Sequence, residues 1–383
     1  MKEFNMKVLV VGDFYPNSEL KKQLLSDEPS KIFGKFHDII QKFDLAVVNL
    51  ESPLTTYDKA INKTGPALKA DKVFADFLKK SGFKLATLAN NHIMDYGPKG
   101  LEDTIEALND FGLGHVGAGG TIDIAKQPYI YASKEGKKLA VLNIAENEWS
   151  TAKGNDPGAA GFDTVSNFYS IQEAKTNADF VLLITHGGHE NYHLPSKSYR
   201  DLLRFFVDAG ADAIVNHHTH CITGFEIYKG KPIYYSIGNF LFDKKSRDFT
   251  HWNKGIAAEI DFSDNKINAS THIFYQCVNE KPFELLEGDI ADQELMQLDS
   301  LSNIIQNDDE LDRELLKWIS RSQKYYNINI EPHSIRVLQA LQNRNLLPSF
   351  WTKRKKMYLL NMLRCESHRE MLIKKLENEI SNS

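Results

Sequence analysis

Short apolar segments that each end in glycine, carboxylate, amide or imidazole side chains constrain the fold of this chain most strongly. The predicted strands are residues 7–12, 45–50, 84–88, 139–144, 180–185 and 213–215. Between them, helical periodicity predicts helices at 73–80, 100–111 and 198–209, and a glycine typical of a helix C-terminus follows each. Strands that alternate with helices indicate a largely parallel sheet that is covered on both faces.

The pattern changes after residue 223. Residues 225–228 and 232–235 predict a hairpin, and residues 256–262 and 269–277 predict a second antiparallel pair. From Asp289 onward the pattern is helical and charged, so we predict a boundary near Glu287. The predicted domains are residues 1–287 and a helical C-terminal region, residues 288–383. These patterns alone indicate an α/β protein with an antiparallel extension.

Composition and charge argue against several classes of function. Hydrophobic residues make up 42% and charged residues 25%, which is ordinary for a globular protein. The net charge of −5 gives no support for nucleic-acid binding, which would need a basic face. The apolar run at residues 8–11 is too short for a signal peptide or a membrane span, so no integral membrane segment is expected. Cys221, Cys277 and Cys365 form no disulfide framework and fit a reducing cytoplasm.

Residues that can carry chemistry follow directly after the predicted strands, where α/β proteins bind their ligands. The groups are Gly12-Asp13, Asn49-Leu50-Glu51, Asn90-Asn91-His92 with Asp95, His186-Gly187-Gly188-His189-Glu190, and His217-His218-Thr219-His220. Carboxylate, amide oxygen and imidazole together suit Zn, Mn or Fe(II). A central carboxylate can bridge two ions about 3.5–4 Å apart, and a histidine beside them can protonate a leaving oxygen. The sequence therefore predicts an enzyme with a metal centre.

In this order the groups resemble the calcineurin-like metallophosphoesterase superfamily and, within it, the CapA family of poly-gamma-glutamate capsule biosynthesis. The resemblance covers roughly residues 6–245. It extends to Asp208-Ala209-Gly210-Ala211-Asp212, to Glu226, and to the run from Gly230 to Phe240 with Asp243. It implies a four-layer α/β–β/α sandwich with a helical C-terminal extension. It also implies a metal-dependent phosphoester hydrolase linked to capsule or surface-polymer biosynthesis.

The resemblance assigns roles residue by residue. The metal-ligand candidates are Asp13, Glu51, Asn91, His186, His218 and His220, with Glu51 as the bridge. His92 would be the proton donor or transition-state stabiliser. Two departures from the superfamily pattern leave the number of Mn, Fe or Zn ions open at one or two. Tyr15 stands where the histidine of Asp-x-His is found, and Glu51 replaces the usual bridging aspartate.

Several neighbouring residues have simpler interpretations. Asp95 either orients His92 or forms a turn. Glu190 is a candidate general base, ammonium contact or salt-bridge partner. His217 is expected to face away from the site as a spacer, and Asn90 to support its loop. Cys221 is expected to be a small buried thiol. The basic run 353–356 is expected to be a solvated helix face.

Three functions stay open at this point. The first is the metal-dependent phosphoesterase, with an anionic small-molecule or polymer substrate, capsule-biosynthesis proteins as partners and a homodimer as one oligomeric state. The second is a non-hydrolytic component of poly-gamma-glutamate synthesis or export, for which a membrane anchor is expected and none is predicted here. The third is a metal-free acid/base enzyme that acts on a peptide or amide through Glu190, His92 and His186.

Overall fold

A computed structural model describes residues 4–63, 65–242, 249–264, 266–278, 281–330, 335–344, 346–348 and 351–364, with positions 373, 376 and 380. Asp243 and Cys365 lie outside the described residues. The chain divides into two compact units, Met1–Arg313 and Glu314–Ser383. The metal-ligand candidates all belong to the first unit.

Most strands in the first 217 residues are separated by helices, whereas the strands after residue 217 follow one another with only short connections. In chain order they are β1 (Asn5–Tyr15), β2 (Leu45–Leu50), β3 (Leu85–Thr87), β4 (Gly114–Val116), β5 (Ala118–Gly119), β6 (Tyr129–Ala132), β7 (Lys138–Ala145), β8 (Gly158–Ala159), β9 (Phe180–His186), β10 (Ala213–His217), β11 (Phe225–Tyr228), β12 (Lys231–Tyr234), β13 (Asn239–Phe242), β14 (Lys254–Ser263), β15 (Ile267–Val278) and β16 (Lys281–Leu285). Every strand predicted from the sequence is present.

The helices comprise those predicted between the strands and others that the sequence did not predict. They are α1 (Ser18–Ser26), α2 (Pro29–Phe33), α3 (Lys35–Ile40), α4 (Val73–Ser81), α5 (Gly97–Asp110), α6 (Ile122–Ala125), α7 (Thr164–Asn177), α8 (Lys197–Ala209), α9 (Gly288–Gln306), α10 (Asp308–Ile330), α11 (Arg336–Asn343) and α12 (Lys353–Arg364). The described residues after Glu287 thus form helices, as predicted. Residues 353–356 in α12 are exposed, as expected for a solvated face.

The strands form two principal sheets. The larger sheet has the order β16-β15-β14-β1-β2-β3-β4, and β13 also pairs with β1 in parallel. The smaller sheet has the order β11-β12-β10-β9-β7-β6, with a parallel centre and an antiparallel strand at each edge. The predicted parallel centre and hairpin are therefore confirmed, but they lie in a sheet separate from β1, β2 and β3.

The two sheets face each other across an apolar core. Side chains from both sheets meet there, among them Val8, Val10, Leu45, Val47, Val141, Leu182, Ile184 and Val215. Each such side chain contributes about 1.5–3 kcal/mol when fully buried. The outer face of the larger sheet is covered by apolar residues of α3, α4 and α5, and the smaller sheet contacts α7 and α8. Helix, sheet, sheet and helix form the predicted four-layer sandwich.

Gly12 allows the backbones of β1 and β13 to approach each other closely. A Cβ atom at this position would lie 1.9 Å from the carbonyl oxygen of Gly238. We expect Gly12→Ala to lower the free energy of unfolding by roughly 2–4 kcal/mol, because the two strands must separate. Urea unfolding measures this change. The matched control is Gly120→Ala, where no atom lies within 4 Å of the added carbon. Equal stability of the two variants would contradict the prediction.

Candidate metal centre

Side chains from both sheets converge at the carboxyl ends of their parallel strands. Asp13 lies near the end of β1 and Glu51 follows β2 directly, so both come from the larger sheet. His186 is the last residue of β9, and His218 and His220 follow β10 in the smaller sheet. All five side chains are buried. The fold therefore brings together residues that lie far apart in the sequence.

These residues form two groups of three possible ligands, and Glu51 belongs to both. In one group, Asp13, Glu51 and His220 have ligand atoms within 4.8 Å of one another, and in the other Glu51, His186 and His218 do. His186 Nε2 lies 3.6 Å and His220 Nε2 3.7 Å from Glu51 Oε1. Asn91 Oδ1 lies 3.0 Å from His186 Nε2, beside the second group. Catalytic metal sites commonly have three protein ligands, and each of these groups offers three carboxylate or imidazole donors.

The electrostatics of Glu51 support the fit to a cation. Both of its carboxylate oxygens are buried and have no hydrogen-bond partner among the described residues. Burial raises the pKa of Glu51 well above its ordinary value, and the neighbouring charge of Asp13 raises it further. Burial of an ionised carboxylate without a partner is costly, and a divalent ion between the two groups would remove that cost.

The histidines favour the neutral form that binds metal. Burial, followed by the neighbouring His218, lowers the pKa of His186 well below its ordinary value. Burial, followed by His220, lowers the pKa of His218 to about 4. A neutral imidazole offers a lone pair to an ion. The imidazoles of His186 and His218 are therefore able to bind an ion at neutral pH.

Residues behind the candidate ligands make hydrogen bonds to them. His220 Nδ1 lies 2.9 Å from Asn239 Oδ1, so a proton on Nδ1 leaves Nε2 free to face Glu51. Asn49 Nδ2 donates to Asp13 Oδ1 at 2.7 Å and lies 3.4 Å from His186 Nδ1. Asn239 lies in the run from Gly230 to Phe240 that contributes to the CapA resemblance. The structure places it beside His220.

The expectation that His217 faces away from the site is wrong. Its side chain is fully buried, and its Nδ1 lies 3.4 Å from Asp13 Oδ1. His217 is the last residue of β10, whereas His218 and His220 have positive φ angles of 88° and 55°. Side chains alternate only along extended backbone, so the left-handed residues bring their imidazoles back to the same centre as His217.

His92 lies beside the centre in a hydrogen-bonded cluster. Its Nδ1 is 2.7 Å from Asp95 Oδ2, and Asp95 Oδ1 accepts a hydrogen bond from the Lys63 ammonium group. Lys63 Nζ is also 3.2 Å from His92 Nδ1. Burial lowers the pKa of His92, although the hydrogen bond to Asp95 opposes this shift. The sequence did not predict Lys63, because residues 61–63 lie in a segment without regular secondary structure.

Asp95 also ties this segment to the site. Its Oδ2 accepts a hydrogen bond from the backbone N–H of Leu68 at 2.6 Å, and its carbonyl oxygen accepts one from Ile61 at 2.9 Å. Asn90 supports the adjoining loop, as expected: it donates to the Leu50 carbonyl and accepts from the His92 N–H. These bonds hold His92 in one orientation.

Glu190 lies at the exposed side of the centre. Its charge contributes to the raised pKa of Glu51, after burial and Asp13, so it stands near the ligands. Among the described residues it has no hydrogen bond or ion pair, and its proposed roles stay predictions. Cys221 is buried, as expected, and burial raises the pKa of its thiol to about 12.

Aromatic side chains cover one side of His220. The ring of Trp252 lies 4.3 Å and that of Phe242 5.1 Å from the imidazole. Tyr15 packs edge-on against Phe242 at 4.9 Å. Burial raises the pKa of Tyr15, and the nearby Tyr96 and Asp95 raise it further. Tyr15 therefore lies between the aromatic cover of His220 and the cluster around His92.

Within the part of the chain that the structure describes, we find no helix with the length and apolarity that a membrane crossing requires.

Comparison with known proteins gives a consistent result. The chain is 34% identical to PGA biosynthesis protein CapA of Bacillus subtilis (strain 168) over 238 residues, which is 61% of this chain and 62% of that protein. It is 32% identical to capsule biosynthesis protein CapA of Bacillus anthracis over 250 residues, 62% of this chain and 60% of that protein. The chain thus spans about three fifths of the length of these curated relatives.

A solved structure is also similar. The crystal structure of a hypothetical protein from Thermus thermophilus has a TM-score of 0.45 and 18% identity, and it covers 70% of this chain and 99% of its own. Residues 7–244, more than half of the chain, match the family described as bacterial capsule synthesis protein PGA_cap. They include every metal-ligand candidate. The chain therefore belongs to the PGA_cap family of bacterial capsule synthesis proteins, in agreement with the CapA resemblance of its motifs.

Proposed function

We propose that this chain is a divalent-metal-dependent phosphoester hydrolase that acts in the biosynthesis of a bacterial capsule or a related surface polymer. The observation that carries the proposal is the pair of three-residue ligand groups that share Glu51. Both oxygens of Glu51 are buried without a hydrogen-bond partner among the described residues. The names of the two Bacillus relatives support the link to capsule and polymer biosynthesis.

The residues of the two groups would hold the ions. Asp13, Glu51 and His220 would hold one, and Glu51, His186 and His218, with Asn91 beside them, would hold the other. Divalent ions supply Lewis-acid polarisation of a phosphoryl oxygen and lower the pKa of a water nucleophile. Asn239 and Asn49 keep the imidazoles and the Asp13 carboxylate in the orientation that binding requires.

His92 would handle the proton. Its Nδ1 is engaged by Asp95, so Nε2 is the atom that can give a proton to the leaving oxygen. Lys63 balances the buried charge of Asp95 and holds that carboxylate in place. The substrate class we propose is an anionic small molecule or polymer that contains a phosphoester.

Metal content tests the ligand assignment. We expect one to two equivalents of Mn, Fe or Zn in protein purified without chelator or affinity nickel, measured by elemental mass spectrometry. His218→Ala and His220→Ala should each lose about one equivalent, since each removes one of three donors from one group. His189→Ala is the matched control, because His189 is an exposed loop histidine outside both groups. Unchanged metal content in both ligand variants would overturn the assignment.

A screen of phosphomonoesters and phosphodiesters tests the reaction. The proposal expects hydrolysis that depends on the metal and that stops on exhaustive chelation. Absence of metal, even after incubation with Mn or Zn, would refute the metal centre. Metal binding without hydrolysis of any phosphoester would refute the hydrolase and favour a non-hydrolytic component of polymer synthesis. Hydrolysis that persists after complete metal removal would favour metal-free acid/base chemistry.

A further inference from the structure

Tyr15 lies at the end of β1, on the same side as Asp13. Phe14, between them, points to the opposite side, where it packs against Phe74 and Phe77 of α4 in the helix-covered core. Side chains two residues apart on a strand share one face, so Tyr15 lies on the same face as Asp13 and closer to the end of β1. This position is the carboxyl edge of the sheet, where the metal ligands lie.

The ring of Tyr15 is held in place by the residues that cover His220. It packs edge-on against Phe242, with 4.9 Å between ring centroids, and belongs to a small apolar cluster with Leu68, Phe242 and Trp252. Leu68 in turn donates its backbone N–H to Asp95. The ring of Tyr15 thus packs in a cluster that adjoins both His220 and Asp95.

The hydroxyl group of Tyr15 is an unused hydrogen-bond donor at this place. Tyr15 is half-buried, and its hydroxyl makes no hydrogen bond to any other residue that the structure describes. Tyr235 and Tyr199, in contrast, donate to Glu226 and Asn216. A half-buried hydroxyl can exchange a hydrogen bond to water for one to a ligand, so this hydroxyl is free to donate to a substrate oxygen.

We propose that the Tyr15 hydroxyl binds substrate, donating a hydrogen bond to a non-bridging oxygen of a phosphoryl group at the metal centre. The proposal rests on the phosphoesterase function and adds a substrate-contacting residue to it. A phenol reaches further than an imidazole and donates a neutral hydrogen bond. The superfamily pattern has a histidine at this position. In this chain, Tyr15 would therefore bind the substrate rather than the metal ion.

Tyr15→Phe tests the proposal, because it removes only the hydroxyl oxygen and keeps the ring against Phe242. Binding of inorganic phosphate to the Mn-loaded protein is measured by calorimetry, together with metal content. We expect the Kd for phosphate to rise about 10-fold or more, as for loss of a hydrogen bond to a charged group, with metal content unchanged. The matched control is Tyr169→Phe, an exposed tyrosine on α7.

The outcomes separate this proposal from the proposed function. A Kd for phosphate equal to that of the wild type in Tyr15→Phe would overturn the role of the hydroxyl, even if the protein is an active hydrolase. Loss of metal in Tyr15→Phe would also overturn it, because Tyr15 would then act on the ion. Weaker phosphate binding with full metal content supports the proposal even if hydrolysis is never detected. A wild-type protein that holds metal and binds no phosphate would refute it.

Discussion

Replacement of Glu51 by glutamine is expected to remove all bound metal at once and to reduce hydrolysis to background. Glu51 belongs to both ligand groups, and no other described residue does. An amide cannot supply the negative charge on which a bridging ligand depends. We expect metal affinity to fall by more than the roughly 10–100-fold that follows from loss of a residue behind a ligand. Elemental mass spectrometry and titration with Mn measure this loss.

The same variant is expected to leave the metal-free protein at least as stable as the wild type. Burial raises the pKa of Glu51 in the fold, so above the ordinary glutamate pKa this group lowers the stability of the metal-free protein. Glutamine keeps the shape of the side chain without the charge. Urea unfolding in the presence of chelator measures this, with Glu173→Gln on the exposed face of α7 as the control. Retention of two metal equivalents, or marked destabilisation without metal, would contradict the assignment.

Replacement of His92 by asparagine is expected to lower kcat by about 10²- to 10⁴-fold, the usual contribution of a positioned acid or base. Metal content should not change, because His92 belongs to neither ligand group. Asparagine can still donate a hydrogen bond to Asp95, so the cluster with Lys63 should keep its arrangement. Steady-state kinetics on any phosphoester that the wild type hydrolyses, with parallel metal analysis, checks both expectations.

This variant is informative because it differs from the Glu51 variant in one measurement. Both should lose activity, yet only the Glu51 variant should lose metal. His115→Asn is a suitable control, since His115 is a half-buried histidine on β4 outside the centre. If His92→Asn retained full activity, proton transfer by His92 would be excluded. If it lost metal, His92 would have to be reassigned as a ligand.

The sequence predicted the parallel strands well because each is a short, almost uninterrupted apolar run. All six residues of β2 and all seven of β9 are buried. Such strands can be recognised from their own apolar sequence, without knowledge of the strands that pair with them. The ligand candidates were found for the same reason, since they follow directly after these runs. The sequence pattern could not show that the strands form two sheets rather than one. A buried strand has the same apolar pattern whether a second sheet or a helix covers its face.

Some features depend on contacts that no local pattern contains. Helix α7 was not predicted, because its large apolar residues Val165 and Tyr169 are exposed and give little amphipathic signal. Strand β13 is four residues long and follows a left-handed glycine, Gly238, so the segment is equally typical of a turn. Its parallel pairing with β1 was therefore invisible in the sequence.

Within the site, the errors come from backbone geometry and from long-range contacts. His217 was expected to be a spacer that faces away from the site, but the left-handed angles of His218 and His220 bring all three imidazoles to one centre. Lys63 reaches Asp95 from a loop 32 residues earlier, and no spacing rule connects the two. Sequence patterns thus identify residues at strand ends, while residues delivered by irregular segments emerge only from the folded chain.

The candidate ligands are divided between the two sheets, so metal binding at this centre would affect how firmly the sheets are held together. Asp13 and Glu51 belong to one sheet and the three histidines to the other, and an apolar core joins the sheets below them. An ion held by both sets would act as a cross-link that closes the sandwich at one rim. Its binding energy would then oppose separation of the sheets, as ligands that bind only a folded state do. Chelation would weaken the rim first and leave the apolar interior to hold the sheets together alone.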